Sequence, residues 1–195
     1  NSFNSFNRFI FIFIFFSFLF SCQKTEILDE VVFDYNLLNK INFNAEVKEI
    51  YNLYKVNLSL PFIDHVMEVS PSKRIEKWFE ENLIVFGTSN KLVLNILNAS
   101  ITKNEFKNDS NKKKVIENKE YIYEITIEVN YILYNDDESI LVTTNVKISR
   151  TTTAANFISL SERNQILDLL TLEALQDLSV KSAELVKKHM FEYII

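Results

Sequence analysis

Glycine is the residue this chain most lacks, since 195 residues hold only one, Gly87. A phosphate-cradling loop is thereby excluded, because such loops need several residues without a Cβ. The one cysteine, Cys22, excludes an intramolecular disulfide and a multi-thiolate metal site. The two histidines, His65 and His189, stand far apart and in no metal-ligand spacing. Basic excess is missing as well, with 21 Lys and Arg against 26 Asp and Glu, a net charge of −5. Arg8 is the one charged residue among residues 1–21, so without that segment the balance falls to −6. An acidic chain is unsuited to nucleic acid, whose binding depends on basic patches that release counterions. Adsorption to anionic lipid through a polybasic surface is disfavoured on the same ground. What is abundant is Asn, Lys, Ile and Phe, the bias of AT-rich codon supply.

Phenylalanine is concentrated at the start, nine times between Phe3 and Phe20. Residues 9–20 are apolar apart from Ser17, and Arg8 stands immediately before them. A basic residue, an apolar run of about a dozen and then small residues is the layout of a secretory signal peptide. A spanning helix needs about 20 apolar residues, and polar Gln23-Lys24-Thr25-Glu26 ends this run too early. The chain starts at Asn1, so a true start a little upstream is expected. Leu19-Phe20-Ser21-Cys22 resembles the lipobox of bacterial lipoproteins, with Phe20 bulkier than usual at its position. That resemblance implies a diacylglyceryl thioether on Cys22, cleavage before it and acylation of the new amine, and no further cofactor. It also implies a membrane held through the lipid, and Gln23 points to the periplasmic face of the outer membrane.

Residues 22–40 read as a polar, irregular tether, and 41–195 as a single domain. Ile41, Phe43, Ala45 and Val47 alternate with Asn42, Asn44, Glu46 and Lys48, the period of a half-buried strand. Residues 57–69, which include Pro61, read as an irregular connection. Ser70-Pro71 opens a helix whose apolar face is Ile75, Trp78, Phe79 and Leu83. Gly87 is expected to close it in the left-handed conformation. Leu92, Leu94 and Ile96 alternate, and the phase then shifts to Leu97, Ala99 and Ile101, which predicts a bulge. A polar insert over 102–119 precedes the longest alternation, Tyr121, Tyr123, Ile125, Ile127, Val129, Tyr131 and Leu133. A turn at 135–138 and the return of Ile140, Val142, Val146 and Ile148 predict a hairpin. Ser159 or Ser161 caps a final helix striped with Ile166, Leu167, Leu170, Ala174, Leu178, Leu185 and Val186, and Lys187-Lys188-His189 suit its C-terminus. The order β-α-β-β-β-α predicts an α+β two-layer sandwich: a mostly antiparallel four-stranded sheet with two helices on one face.

No serine has motif support as a nucleophile for Asp64-His65. Glu124 and Glu128 share a strand face with Thr126. Paired carboxylates can do acid–base work, but alternating charge on a wet strand face is the plainer account. The chain is therefore expected not to be an enzyme. Trp78 at helical spacing reads first as core and second as a ligand-pocket or docking residue. Tyr134, Ile122 and Ile132 point away from the core alternation, a partly apolar outer face suited to docking.

Asp64-His65, Ser70-Pro71, Trp78, Gly87 and Ala99-Ser100 within 61–101 are similar to a group of uncharacterised alphaproteobacterial lipoproteins. The similarity continues through Ser149-Arg150-Thr151-Thr152 and Leu160-Ser161-Glu162-Arg163, and brings no catalytic residues. More distantly, the hairpin, Thr-rich segment and long final helix resemble the lipopolysaccharide-assembly lipoprotein that plugs an outer-membrane β-barrel. The same order resembles auxiliary lipoproteins of ABC-type lipid transporters. These resemblances imply a non-enzymatic binding or assembly module with a β-barrel or ABC-type transporter as partner. The alternative is a free-standing binder of lipid or peptidoglycan.

Overall fold

The computed structural model describes residues 29–105 and 120–195. The leader, the lipobox with Cys22, and most of the 102–119 insert lie outside the described residues. In chain order the elements are β1 (Ile41–Phe43), β2 (Val47–Asn52), α1 (Pro71–Asn82), β3 (Leu83–Val85), β4 (Lys91–Glu105), β5 (Glu120–Tyr134), β6 (Ile140–Ala155) and α2 (Leu160–His189). The main sheet has the order β2-β4-β5-β6. Its β2–β4 pair is parallel and the other two pairs are antiparallel. This is the expected α+β architecture, with both helices on one side of the sheet. The expected first strand is divided: β1 leaves it to pair in parallel with β3, forming a separate two-stranded sheet.

The period-two pattern of β5 becomes a strict alternation of burial. Tyr123, Ile125, Ile127, Val129, Tyr131 and Leu133 are buried, and the residues between them are half-buried. These side chains meet Ile75, Trp78 and Phe79 of α1 and Leu167, Leu170, Ala174 and Leu178 of α2 in one core. The bulge in β4 is where the phase shift placed it, between Ile96 and Asn98. It lets both halves of a long strand keep aliphatic side chains inward.

Each helix is capped as its sequence suggests. The Ser70 hydroxyl accepts from Lys73 N, with Pro71 in the first turn. Ser159, not Ser161, caps α2, and Glu162 completes a capping box by accepting from Ser159 N at 2.6 Å. The end of α1 is satisfied from another element. Lys48 of β2 donates to the carbonyls of Phe79, Glu80 and Leu83 at 3.1, 2.7 and 2.6 Å, a cation at the negative helix end. Burial lowers the Lys48 pKa, and the Glu80 charge opposes that.

Two expectations are corrected. Tyr35 and Leu38, within the segment read as tether, are buried in the core. They are held by Asn82, whose amide donates to Tyr35 O and Leu38 O. The folded domain therefore takes in residues before 41. Gly87 does not close α1 with a left-handed residue: the helix ends at Leu83 in extended conformation, and Gly87 has no positive φ. Its hydrogen is needed for space. A Cβ there would meet Ala45 N and the Asn44 Oδ1 at 2.8 Å and Ala45 C at 3.0 Å. Gly87→Ala is accordingly expected to cost about 1–3 kcal/mol, the usual range for overpacking against an unyielding backbone. Urea denaturation should show an earlier midpoint with unchanged slope.

Candidate docking surface

The face of the sheet opposite the helices is built by register. Tyr134 pairs with Lys91 of β4 and Ile140 of β6, and Ile132 pairs with Val93 and Thr143. Paired residues point to the same side, so Ile132, Tyr134 and Ile140 gather at one end of this outer face beside Val93, which is itself buried. Lys91 reaches over the Tyr134 ring at 5.6 Å and lies 3.7 Å from the Glu49 carboxylate. Tyr51 donates to Glu49 at 2.7 Å, and this hydrogen bond, with the Glu49 charge, raises the Tyr51 pKa. Ile122 pairs instead with Asn104 and Thr153. Ten residues of strand separate it from Ile132, about 33 Å. Ile132 and Tyr134 thus share a patch, and Ile122 is not part of it.

Between these ends the face is polar and internally satisfied. Ser149 donates to Glu124 at 2.7 Å, Asn145 to Glu128 at 3.0 Å and Thr143 to Asn130 at 2.8 Å. Lys147 pairs with Glu128 at 3.5 Å. Glu124 and Glu128 therefore belong to cross-strand pairs on a wet face. His65 and His189 are exposed. Trp78 is fully buried beneath α1, so it is core and no part of a docking surface.

A second apolar surface lies along β4, on residues 53–60, of which 57–60 belong to the expected irregular connection. Leu53, Val56, Leu58 and Leu60 are exposed, Leu58 at 75% and Leu60 at 80%. Both ends of the segment are pinned to β4 on either side of its bulge. Leu53 N donates to Ile96 O at 3.0 Å, Ile63 N to Ile101 O at 2.8 Å, and Lys103 N to Pro61 O at 2.8 Å. Tyr54 closes the base by donating to the buried carboxylate of Asp64 at 3.2 Å. Burial first, and the Asp64 charge second, push the Tyr54 pKa upward. Four aliphatic residues in eight were the available signal, but strand and core leucines look the same in sequence.

The first described residues lie along the start of α2. Asp29, Glu30 and Val31 line a groove with Ser161, Asn164, Gln165 and Asp168, and Gln165 donates to Asp29 O at 3.0 Å. Burial raises the Asp168 pKa, Arg74 opposes this, and Glu68 and Glu30 add to it. A native pKa above the unfolded value means that stabilisation is full below the ordinary carboxylate range and is lost as pH rises through the raised value. Asp168→Asn should therefore raise stability at pH 7 by up to about 0.5 kcal/mol, a small gain because the group is half-exposed. The difference from wild type should shrink below about pH 4, as read by thermal melts across pH.

No protein-family model matches the chain, and no curated protein does. Among solved structures it is similar to the minor lipoprotein from Acinetobacter baumannii, with 8% identity over 73% of this chain and 90% of that one, at a TM-score of 0.41. It is similar to rare lipoprotein B from Shewanella oneidensis, with 14% identity over 71% and 94% and a TM-score of 0.43. It is also similar to a homologue of neuraminyllactose-binding hemagglutinin from Helicobacter pylori, with 13% identity over 83% and 97% and a TM-score of 0.42. At such scores none of these likenesses bears on what the chain does.

Proposed function

We propose that this chain is a lipoprotein anchored through Cys22 at the periplasmic face of the outer membrane. Its domain is a non-enzymatic binding and assembly module in envelope biogenesis, of the class that serves lipid or lipopolysaccharide transport. The observation that carries the reading is the pinned loop along β4, with Leu53, Val56, Leu58 and Leu60 held out in water. Fully burying one such side chain is worth about 1.5–3 kcal/mol. A loop fixed at both ends presents several of them with little ordering left to do on binding. Clustered exposed apolar groups of this kind mark interaction sites. The export run and the Leu19-Phe20-Ser21-Cys22 lipobox supply the envelope setting.

Photo-crosslinkers placed at Leu58 and at Tyr134 in living cells test it. Capture of an envelope β-barrel or an ABC-type transporter subunit, abolished by Val56→Asp with Leu60→Asp, is the expected result. No crosslinked protein at either position, with membrane attachment intact, would remove the assembly role and leave bound lipid or glycan as the subject.

A further inference from the structure

We propose that the start of α2 is the membrane-facing tip of the domain, where Phe157 and Leu160 dip into the leaflet that holds the lipid anchor. This rests on the lipoprotein reading and adds an orientation and a contact to it.

Phe157, in the short connection from β6 into α2, is 90% exposed, and Leu160, the first residue of α2, is 64% exposed. The chain joins the domain beside them. Asp29 O accepts from Gln165, and Asp29, Glu30 and Val31 line one groove with Ser161, the residue after Leu160. Leu160 precedes Gln165 by five residues, about 7.5 Å along the helix axis.

Seven residue steps separate Cys22 from Asp29, a reach of at most about 25 Å even when fully extended. The sheet is longer: β5 has 15 residues, about 50 Å at the usual strand rise. A tether half that length cannot let the domain invert, so the end bearing Asp29, Phe157 and Leu160 stays next to the bilayer. Two large apolar side chains at that end, exposed to water in the isolated domain, have an apolar phase within reach.

Charges of both signs ring the two apolar residues. Asp29, Glu30, Glu120, Glu162 and Asp168 lie at this end together with Arg74, Lys103 and Arg163. The occupant is the surface of the leaflet that holds the anchor, met end-on.

The test uses the full lipidated chain in phosphatidylethanolamine–phosphatidylcholine vesicles whose upper acyl carbons carry bromine. Trp78, buried in the core, is an internal fluorophore that brominated lipid should not quench. Phe157→Trp adds an indole at the tip, and Leu160→Trp adds one independently. Interfacial residues enter about 5–10 Å, so brominated lipid should remove about half or more of the added emission in each variant. Unquenched added emission from protein that floats with the vesicles would overturn the tip contact and leave the anchor standing. A chain that carries no lipid by mass and does not float would overturn the anchor, and the tip contact with it.

Discussion

Asn82→Asp is expected to cost about 3–5 kcal/mol at neutral pH, the range for leaving a charge buried without a partner. Asn82 ends α1 with none of its surface exposed, and its amide donates to Tyr35 O at 2.8 Å and to Leu38 O at 3.0 Å. Aspartate keeps the shape and replaces Nδ2, which donates both bonds, by one carboxylate oxygen that faces two carbonyl oxygens. Each carbonyl left unpaired costs about 1–3 kcal/mol, and the charge is desolvated besides. Against a total stability of about 5–15 kcal/mol, that is a large share. The introduced carboxyl would titrate well above the usual range, so the deficit should shrink at acid pH, where the protonated group regains one donor. Asn82→Ala loses the bonds without the repulsion, so it should be the milder variant and show no such pH dependence. Amide exchange locates the damage: protection should fall first over residues 33–40, which the side chain ties down. A loss below about 1 kcal/mol at neutral pH would mean that these two hydrogen bonds do not hold the segment.

The parts of the fold that were legible in the sequence are those with a local cause. The alternation in β5 is a property of one strand, and a pleated backbone turns it directly into buried and half-buried residues. Ser70-Pro71 and the Ser159–Glu162 capping box act within four residues. The Leu97 phase shift is itself the bulge. The parts that were not legible depend on distant pairings. β1 and β3 have three residues each and find one another across α1, and no periodicity is visible over so short a run. Gly87 stands out by its rarity, but what requires it is the close approach of Asn44 and Ala45 and not the helix it follows. Tyr35 looked like tether because its carbonyl partner, Asn82, lies on another element. The surface behaves in the same way. Tyr134 and Ile132 become a patch only when register adds Ile140 from the neighbouring strand. The same register takes Ile122 away. The loop with Leu58 and Leu60 is exposed because β4 pairs with residues before and after it, which sequence spacing does not encode.

Cys22→Ala is expected to move the protein from the membrane fraction to the soluble one almost completely, once the leader has been removed. The magnitudes decide this. A diacylglyceryl group and an N-acyl chain each contribute about 0.8 kcal/mol per buried methylene, and even one myristoyl chain alone holds only reversibly. The domain has little to put in their place. No helix among the described residues is long and apolar enough to cross a membrane, and the charge without residues 1–21 is net acidic. Phe157 and Leu160 together offer about 3–6 kcal/mol if fully buried, and interfacial contact realises only part of that. Association also costs several kcal/mol of lost freedom. On the proposed anchoring, the tip would orient the protein and would be too weak to hold a free one. Fractionation must be read together with the mass of the N-terminus, because blocked lipidation leaves the apolar run of 9–20 in place on any uncleaved precursor. Membrane-bound Cys22→Ala protein with its leader intact is that precursor and is consistent with the anchor. Membrane-bound protein with the leader removed would show that the domain binds by itself, and the role given to Cys22 would then be wrong.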